Sequence, residues 1–443
     1  MNFREIAEII LNASPAEQTE VAAIENDESL TRFANNSIHQ NVTERNTQII
    51  VRAVIGTRVG IAISNDARPE SLGALARRAA DLARLQPENP EFKGLPKPKP
   101  ISPVQTFDDA TANCPPAERA SRVGVICRKS ASAGFNAAGS MTTMAGHLGV
   151  ANSNGVFAEF RSTMADVTTV VMGANSSGWA QATGSSLESI ETSGLADEAI
   201  GKVRLGADPV ECDAGEYAVI LDPYAAADIM EQLAFDGMGA LAVQEGRSWL
   251  NGRMGTKIMS SSVSIVDDAL NTAGLAMPFD FEGMPARAVS IIDAGVAGSP
   301  VYDSFTAGRE AGKQSTGHAP PPSPTERYGP LPMHLFLKPG NASLESMIQS
   351  TKLGIYITRF WYTRAVHPRD AVITGMTRDG TFMIRNGEIA HPVKSLRFTQ
   401  SYVDALNHVE DIGSTPRILR FNYGATSVPP VKLSKFKFTS STR

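Results

Sequence analysis

Residues 47–66, TQIIVRAVIGTRVGIAISND, are followed after one alanine by residues 68–85, RPESLGALARRAADLARL. The first segment has β-branched residues around a central glycine, which predicts one long strand or a hairpin. The second places apolar residues at helical spacing after Asp66, a suitable capping residue. Upstream, TEVAAIEND (19–27) and LTRFANNSIHQN (30–41) predict two strands joined by a short polar turn. Strands followed by a helix in this way predict a mixed α/β lobe.

The rest of the chain is organised around a boundary near residue 206. Proline and lysine mark residues 87–103 as an extended connector, and residues 136–186, rich in Gly, Ser, Thr and Val, predict antiparallel strands. The second half holds the strand-like segments SVSIVDD, ARAVSIID, MHLFLKPG, LGIYITRFWYT, TFMIRNGEIA and HPVKSLRFTQ. We therefore predict an α+β fold, an N-terminal mixed α/β domain followed by a C-terminal sheet-rich domain. The predicted bounds are 1–100 for the N-terminal α/β lobe, 101–205 for its continuation with antiparallel strands, and 206–443 for the β-rich domain.

Composition excludes several classes of partner. The 443 residues are 42% hydrophobic and 20% charged, and the net charge of −5 gives no electrostatic footprint for nucleic acid or anionic lipid. No apolar run approaches the roughly 18 residues that a membrane span needs. The three cysteines, Cys114, Cys127 and Cys212, lack metal-type spacing and favour reduced thiols. We therefore expect a cytoplasmic protein that binds neither nucleic acid nor membrane.

The titratable residues do not by themselves nominate an active site. The seven histidines are far apart, and neither a His-Glu-x-x-His zinc motif nor a nucleotide-binding glycine loop occurs. His318 and His367 lie in loops with Gly or Pro and are contact candidates only. The aspartates at 267–268, or Asp280 and Glu282 in FDFEG, could form an acid/base pair. Carboxylates at such turns more often accept hydrogen bonds from backbone amides.

Residues 233–246, LAFDGMGALAVQEG, continue an apparent helix, DPYAAADIMEQ. Glycines at 237 and 239 give the segment a small-residue centre, which is typical of a helix that bends at a ligand or lets another group approach its backbone. The side chain suited to chemistry at this centre is Asp236. The segment thus has the shape of an active-site helix with little chemistry on it.

Six motifs along the chain resemble those of the TldD/PmbA family, and within it the PmbA (TldE) branch. In family order they are RFANNSIHQN (32–41) with the IGTRVGIAISND that follows it, ANSNG (151–155), VDD (266–268), FDFEG (279–283), LGIYIT (353–358) and RNGEIAHPV (385–393). Each motif alone is weakly specific. Six of them in the same order over about 360 residues are highly specific. The resemblance implies the fold of that family.

TldD-type members of this family carry a zinc-peptidase motif, His-Glu-x-x-x-His, on a helix of the C-terminal domain. A cysteine near the end of the chain completes the metal site, and the glutamate activates the zinc-bound water. Residues five apart lie about 140° apart around an ideal helix, so the motif helix must be distorted. A glycine inside the motif supplies the necessary freedom.

In this chain the motif corresponds to FDGMGA. Phe235 takes the place of the first histidine, Asp236 that of the glutamate, and Ala240 that of the second histidine. The family's glycine corresponds to Gly239. Phe and Ala cannot ligate zinc, Asp236 is one methylene shorter than the expected base, and no cysteine follows Cys212. The resemblance therefore implies no catalytic residue, metal or other cofactor in this chain, with zinc expected in a partner subunit.

The resemblance to PmbA/TldE also implies a partner, because these subunits pair with a zinc-bearing TldD-like subunit. The implied function is that of a non-catalytic subunit of a heterodimeric zinc metallopeptidase, which helps to form an enclosed channel for small or unfolded peptides. Peptide would enter by strand addition. Two other hypotheses stay open. One is an autonomous hydrolase that uses Asp236, the FDFEG carboxylates and a loop histidine, and the other is a peptide-binding homodimer.

The LGIYITRF segment gives the expected position of the peptide. Ile355 and Ile357 alternate with Tyr356 and Thr358, so the two pairs lie on opposite faces of a strand. The resemblance places this strand beside the peptide channel. We therefore expect Tyr356 and Thr358 to face the channel, together with Asn386 of RNGEIAHPV, while the two isoleucines pack inward.

Two segments depart from the family pattern. FWYTRAVHPRDAVITGMTRDG (360–380) is bulkier and more charged than the usual Gly-rich loop, and residues 319–330 form an unusual proline-rich arm within a long loop, 312–330. Long loops of this kind tend to be lids or partner-contacting arms. Peptide preference and the identity of the partner stay open for this reason.

Overall fold

The computed structural model describes residues 1–323 and 329–441. Residues 324–328 lie outside the described residues. They are the centre of the proline-rich arm that we expect to be a lid or a partner-contacting arm. The architecture is α+β, as predicted: one sheet with helices in the N-terminal half and two further sheets in the C-terminal half. Within the described ranges, every helix is too short or too polar to cross a bilayer.

The N-terminal half is a six-stranded antiparallel sheet of order β3-β2-β1-β4-β5-β6. Its strands are β1 (Gln18–Ala34), β2 (Ser37–Ile55), β3 (Arg58–Ser64), β4 (Asn136–Asn152), β5 (Phe157–Met172) and β6 (Ser177–Gly184). The helices of this half are α1 (Phe3–Ala13), α2 (Pro69–Leu85), α3 (Asp109–Ala112), α4 (Pro116–Ser132) and α5 (Thr192–Leu205). Strand alternation places Val21 and Ala23 against α1 and α2, and Ala22 and Ile24 on the opposite face, against the C-terminal half.

Two expectations for the first strands were wrong. The polar stretch after residue 24 is not a turn, because β1 runs unbroken and pairs there with β2 on one side and β4 on the other. Hydrogen bonding on both edges overrides the weak strand propensity of that stretch. LTRFANNSIHQN is not one strand either. It turns at Asn35 and Asn36, whose positive φ angles of 50° and 58° suit asparagine in a tight hairpin.

The choice that the sequence left open for residues 47–66 is settled as a hairpin. β2 and β3 are joined across Gly56, which has a φ of +60°. Asp66 does not cap α2 as expected. The N-cap residue is Arg68, and the Asp66 carboxylate instead accepts hydrogen bonds from the Arg68 backbone amide and side chain.

The C-terminal half contains two sheets. Its strands are β7 (Gly215–Leu221), β8 (Ile265–Asp267), β9 (Val289–Asp293), β10 (Val296–Ala297), β11 (His334–Leu337), β12 (Leu353–His367), β13 (Val372–Arg385), β14 (Glu388–Pro392), β15 (Leu396–Ser401), β16 (Val409–Ile412), β17 (Arg417–Phe421), β18 (Gly424–Val428) and β19 (Val431–Ser441). Its helices are α6 (Pro223–Leu233), α7 (Ala240–Gln244), α8 (Ser304–Gly308), α9 (Leu344–Gln349) and α10 (Tyr402–Asn407). One sheet has the order β10-β9-β8-β11-β18-β17.

The other C-terminal sheet closes on itself. Its order is β12-β7-β19-β15-β13-β14, and β13 also pairs with β12, so five strands form a ring. The largest hydrophobic core of the protein includes the inward-facing side chains of this ring, among them Ile355, Phe398 and Phe436, together with α6. The unusual segment 360–380 forms the paired outer ends of β12 and β13. The ring fixes α6, and α6 leads directly into the segment that corresponds to the zinc motif.

Candidate functional site: the motif helix

The segment that corresponds to the zinc motif is distorted in the way its spacing requires. Helix α6 ends at Leu233 and passes into a π-helical turn, Ala234–Met238. Gly239 then leaves the helix altogether, with φ −88° and ψ 141°, before α7 begins at Ala240. The segment is therefore two helices joined by a π-turn and one extended residue.

Side chains just after α7 hold the π-turn in place. The Trp249 indole donates a hydrogen bond of 2.9 Å to the Leu233 carbonyl, and the Ser248 hydroxyl donates one of 2.6 Å to the Gly237 carbonyl. A π-turn interrupts the regular hydrogen-bond ladder, so these donors serve carbonyls that a straight helix would satisfy itself. A Cβ at residue 237 would lie 2.5 Å from the Trp249 ring. Glycine is therefore required there by packing.

Glycine is also required at the extended residue, Gly239, because the backbone of two other segments comes close to it. Val301 donates to the Met238 carbonyl and accepts from the Ala240 amide, both at 2.9 Å. A Cβ at residue 239 would lie 2.1 Å from the carbonyl oxygen of Pro330, the last residue of the proline-rich arm. The end of that arm thus crosses directly over the motif at its glycine.

The three motif positions differ in environment. Phe235 is 38% exposed and meets Phe421 edge to face, with ring centroids 5.5 Å apart. Ala240 is completely buried against Tyr302 and Ala307. For Asp236, one carboxylate oxygen is buried without a hydrogen-bond partner among the described residues, and burial raises the pKa of this group to about 6.

These residues do not fit a zinc ion. Neither Phe235 nor Ala240 has a lone pair to donate, and the single carboxylate of Asp236 cannot replace three protein ligands. Across residues 1–323 and 329–441, no three His, Cys, Asp or Glu side chains come together as a metal site would need. No catalytic step through a metal follows from this arrangement.

The FDFEG and VDD carboxylates are occupied by structural bonds. Asp280 accepts hydrogen bonds of 2.9 Å from the backbone amides of Glu282, Met284 and Ala319. Asp267 lies 2.8 Å from the buried Nε2 of His318, and its other oxygen accepts from the His334 amide. Asp280 thus holds a turn, whereas Asp267, the last residue of β8, ties that strand to His318 and to the first residue of β11.

Glu282 has a different role from Asp280. One of its carboxylate oxygens lies 2.9 Å from Nη2 of Arg52, which also contacts Glu20 at 2.9 Å. The second oxygen accepts from the Ser304 amide. Burial raises the pKa of Glu20 to about 7, against the opposing effect of Arg52. This Arg52 cluster, formed by Glu20, Arg52 and Glu282, joins the N-terminal sheet to the C-terminal half. The second histidine candidate, His367, is exposed at the end of β12.

The channel-facing orientation expected for Tyr356 and Thr358 was wrong. Ile355 and Ile357 are fully buried in the ring, as expected, but Tyr356 is buried as well, stacked on Phe382 at 5.8 Å. The outer face of this part of β12 is covered because Met347 of α9 packs on it.

Thr358 is buried for a different reason. Its hydroxyl is enclosed by the carbonyls of Arg378, Asp379 and Gly380, the nearest at 3.0 Å. Asn386 does lie at the surface, in the β13–β14 turn with a φ of 52°. Its contact with a peptide stays a prediction.

Comparison with known proteins identifies the family. Residues 214–440 match the family model described as PmbA/TldA metallopeptidase C-terminal domain, and residues 19–83 match PmbA/TldA metallopeptidase domain 1. The chain belongs to the PmbA/TldA metallopeptidase family. The match to the C-terminal domain model includes the FDGMGA segment, residues 235–240.

Individual relatives are distant in sequence. The chain is 26% identical over 208 residues to a metalloprotease of Methanothermobacter thermautotrophicus, and 22% identical over 223 residues to a metalloprotease TldD homologue of Buchnera aphidicola. These alignments cover 46% and 49% of the chain and 44% of each relative, and the chain spans about half the length of the curated relatives it matches. The fold matches that of TldE from Thermococcus kodakarensis over 99% of both chains, with a TM-score of 0.89 and 18% identity.

The supporting contacts of the motif helix were missed by sequence reasoning. Ser248 and Trp249 appear as an ordinary polar and an ordinary aromatic residue, and nothing in RSWLN predicts that both reach back to the π-turn. Their signal was the glycine at 237, because a glycine inside a helix indicates a close neighbour. The identity of that neighbour depends on the tertiary fold.

Proposed function

We propose that this chain is the non-catalytic, TldE-like subunit of a heterodimeric zinc metallopeptidase that processes small or unfolded peptides. Its partner is a TldD-like subunit that carries an intact His-Glu-x-x-x-His motif and the zinc. The observation that carries the proposal is the composition of the motif helix. Its backbone has the distortion that the motif needs, while Phe235 and Ala240 stand at the two histidine positions.

The environment of the two positions supports a non-catalytic role. Ala240 is closed off by Tyr302 and Ala307, so there is no room for an imidazole or a substrate-bearing metal beside it. Phe235 uses its ring to pack on Phe421. A helix that is held by Trp249 and Ser248 but lacks ligands is suited to shaping a shared cavity rather than to cleaving a bond.

The test is reconstitution with a TldD-type metallopeptidase that has the intact motif. We expect the two purified proteins to form a 1:1 complex in size-exclusion chromatography. Peptidase activity on an unfolded peptide should require both chains, and elemental analysis should find zinc with the partner and none with this chain alone. Replacing the partner's motif glutamate by Gln should abolish activity, whereas Asp236→Ala in this chain should leave it within about twofold.

Each other hypothesis predicts a distinct result. Cleavage by the isolated chain, with stoichiometric zinc, would establish an autonomous hydrolase. A stable dimer of this chain that binds peptide and never associates with the TldD-type protein would establish the homodimer. Either result would refute the heterodimeric subunit.

A further inference from the structure

The face of the N-terminal sheet that packs against the C-terminal half contains a row of three residues with glycine at its centre. Asn26 of β1, Gly146 of β4 and Ser162 of β5 lie opposite one another in the cross-strand register. A Cβ at residue 146 would lie 3.3 Å from the Ser162 hydroxyl oxygen and 3.5 Å from Oδ1 of Asn26. The absent side chain therefore leaves a depression flanked by an amide and a hydroxyl.

This depression is the floor of a cavity of about 200 Å³ between the sheet and the C-terminal half. The cross-strand rows on either side of the floor supply apolar walls, and the C-terminal half supplies a lid of apolar and aromatic side chains. The main wall residues are Leu148, Phe160, Met144, Met164, Met277 and Phe281. Beyond the walls, Glu28 and Arg420 bring one charge of each sign, so the cavity has no net charge.

The two polar side chains of the floor have no hydrogen-bond partner in the described ranges, 1–323 and 329–441. Neither the Asn26 amide nor the Ser162 hydroxyl hydrogen-bonds to another described residue. Each can both donate and accept a hydrogen bond. Two unused polar side chains at the bottom of an apolar cavity are the pattern of a site that orients a ligand by a few hydrogen bonds and holds it by apolar contact.

We propose that this cavity binds one residue of an extended peptide: its large apolar side chain packs against the walls, and its peptide group lies over Gly146, where Asn26 and Ser162 hold it by hydrogen bonds. The proposal rests on the proposed function, for which it names the class of peptide. The volume is below the range of about 300–1,000 Å³ typical of cofactor pockets. It exceeds the roughly 150 Å³ that accommodates benzene. A cavity of this volume suits a single Phe, Leu or Met side chain. The flexible methionine side chains of the walls can pack against any of the three.

The cavity is connected to the motif helix through one hairpin. Phe281, in the cavity wall, meets Tyr423 with ring centroids 5.0 Å apart. Tyr423 lies in the β17–β18 turn, two residues after Phe421, which packs on Phe235. A peptide residue seated in the cavity would therefore lie beside the element that supports the motif position.

The experiment uses the isolated full chain with ¹³C-methyl-labelled methionine. We expect acetyl-Gly-Phe-Gly-amide to shift the methyl resonances of Met144, Met164 and Met277 in a saturable way, and acetyl-Gly-Ser-Gly-amide to shift none of them. The exposed Met172 and Met254 lie outside the cavity lining and serve as internal controls. Unchanged cavity methyls, or equal shifts at the controls, would refute the site.

A matched pair of glycine variants tests the floor. Gly146→Val fills the depression and should weaken binding of the phenylalanine peptide about tenfold or more, the range seen when an apolar pocket loses room for a methylene group. Gly201→Val is the control, because a Cβ at residue 201 has no neighbour within 4 Å. Equal binding by both variants would refute the assignment, and the wild-type titration decides the question if Gly146→Val does not fold.

The two proposals fail in different ways. If the reconstituted complex cleaves peptides but the phenylalanine peptide does not shift the methionine methyl resonances of the isolated chain, the cavity proposal is wrong and the subunit role stands. If the methyl resonances shift but no TldD-type protein associates with the chain, the subunit proposal is wrong and peptide binding in the cavity stands.

Discussion

The motif helix and the Arg52 cluster are both buried, and they differ in what they retain. The motif helix has a π-turn held by Trp249 and Ser248, and apolar residues at the two positions that the resemblance aligns with histidines. The Arg52 cluster keeps three ionisable groups in the interior: Glu20 and Arg52 face each other across β1 and β2, and Glu282 reaches Arg52 from a turn.

The difference shows that a buried charge and a catalytic site need separate evidence. Glu282 and Asp280 looked like an acid/base pair in sequence, yet all their resolved contacts serve the junction or the backbone. The motif helix offered Asp236 as its one side chain suited to chemistry, and in the structure burial raises the pKa of that carboxyl group to about 6. Three experiments test this contrast.

The largest effect is expected at the charge cluster. Arg52→Met leaves the carboxylates of Glu20 and Glu282 buried without their cation, which should lower the free energy of unfolding by about 3–5 kcal/mol. Arg45→Met is the matched control, since its ion pair with Asp27 is exposed and should contribute only about 0–1 kcal/mol. Urea titration followed by circular dichroism measures both. An equal loss of unfolding free energy in the two variants would show that the Arg52 cluster stabilises the fold no more than the exposed ion pair does.

A smaller effect should separate the two histidine positions. Ala240→His places a ring against Tyr302 and Ala307 and should cost about 1–3 kcal/mol through overpacking. Phe235→His, at a position that is 38% exposed, should cost about 1 kcal/mol, mainly the lost ring contact with Phe421. Thermal denaturation of the two variants makes the comparison. If Ala240→His is the milder change, the second position is open and our account of its closure is wrong.

The smallest effect concerns pH. The pKa of Asp236 is raised from 3.8 to about 6 by burial, so the folded protein binds a proton there more tightly than the unfolded chain. Its carboxylate therefore costs stability increasingly as pH rises from about 4 to 6. Asp236→Asn lacks this cost and should be more stable than the wild type above pH 6, by about 1 kcal/mol after discounting for its partial exposure.

Melting temperatures from pH 4.5 to 7.5 measure this gap between Asp236→Asn and the wild type. It should grow through the lower part of that range and then stay constant. A gap that is the same at every pH would show that the carboxylate at Asp236 does not titrate as its burial requires.

Much of the fold followed from local pattern. The helical spacing in residues 68–85 predicted α2, and the β-branched segments of the second half correspond to strands of the C-terminal sheets. The prediction of a turn between residues 27 and 30 was wrong. β1 continues there because it pairs with a strand on each edge, and one of those strands, β4, is distant in sequence. The prediction that one face of β12 lines a peptide channel was wrong for a similar reason. Alternation separated Ile355 from Tyr356, but α9, which covers the second face, lies in another segment of the chain.

The sequence by itself determined the family, the α+β class and the presence of Phe235 and Ala240 at the two positions that the resemblance aligns with histidines, because each depends on residue identity in order along the chain. Only the tertiary structure decided that Gly237 and Gly239 are needed by Trp249 and by the carbonyl of Pro330. It also decided that Asp280 and Glu282 stabilise the fold. A side chain's chemistry is fixed by its type, but whether that chemistry is available depends on which groups the rest of the chain brings within hydrogen-bonding distance.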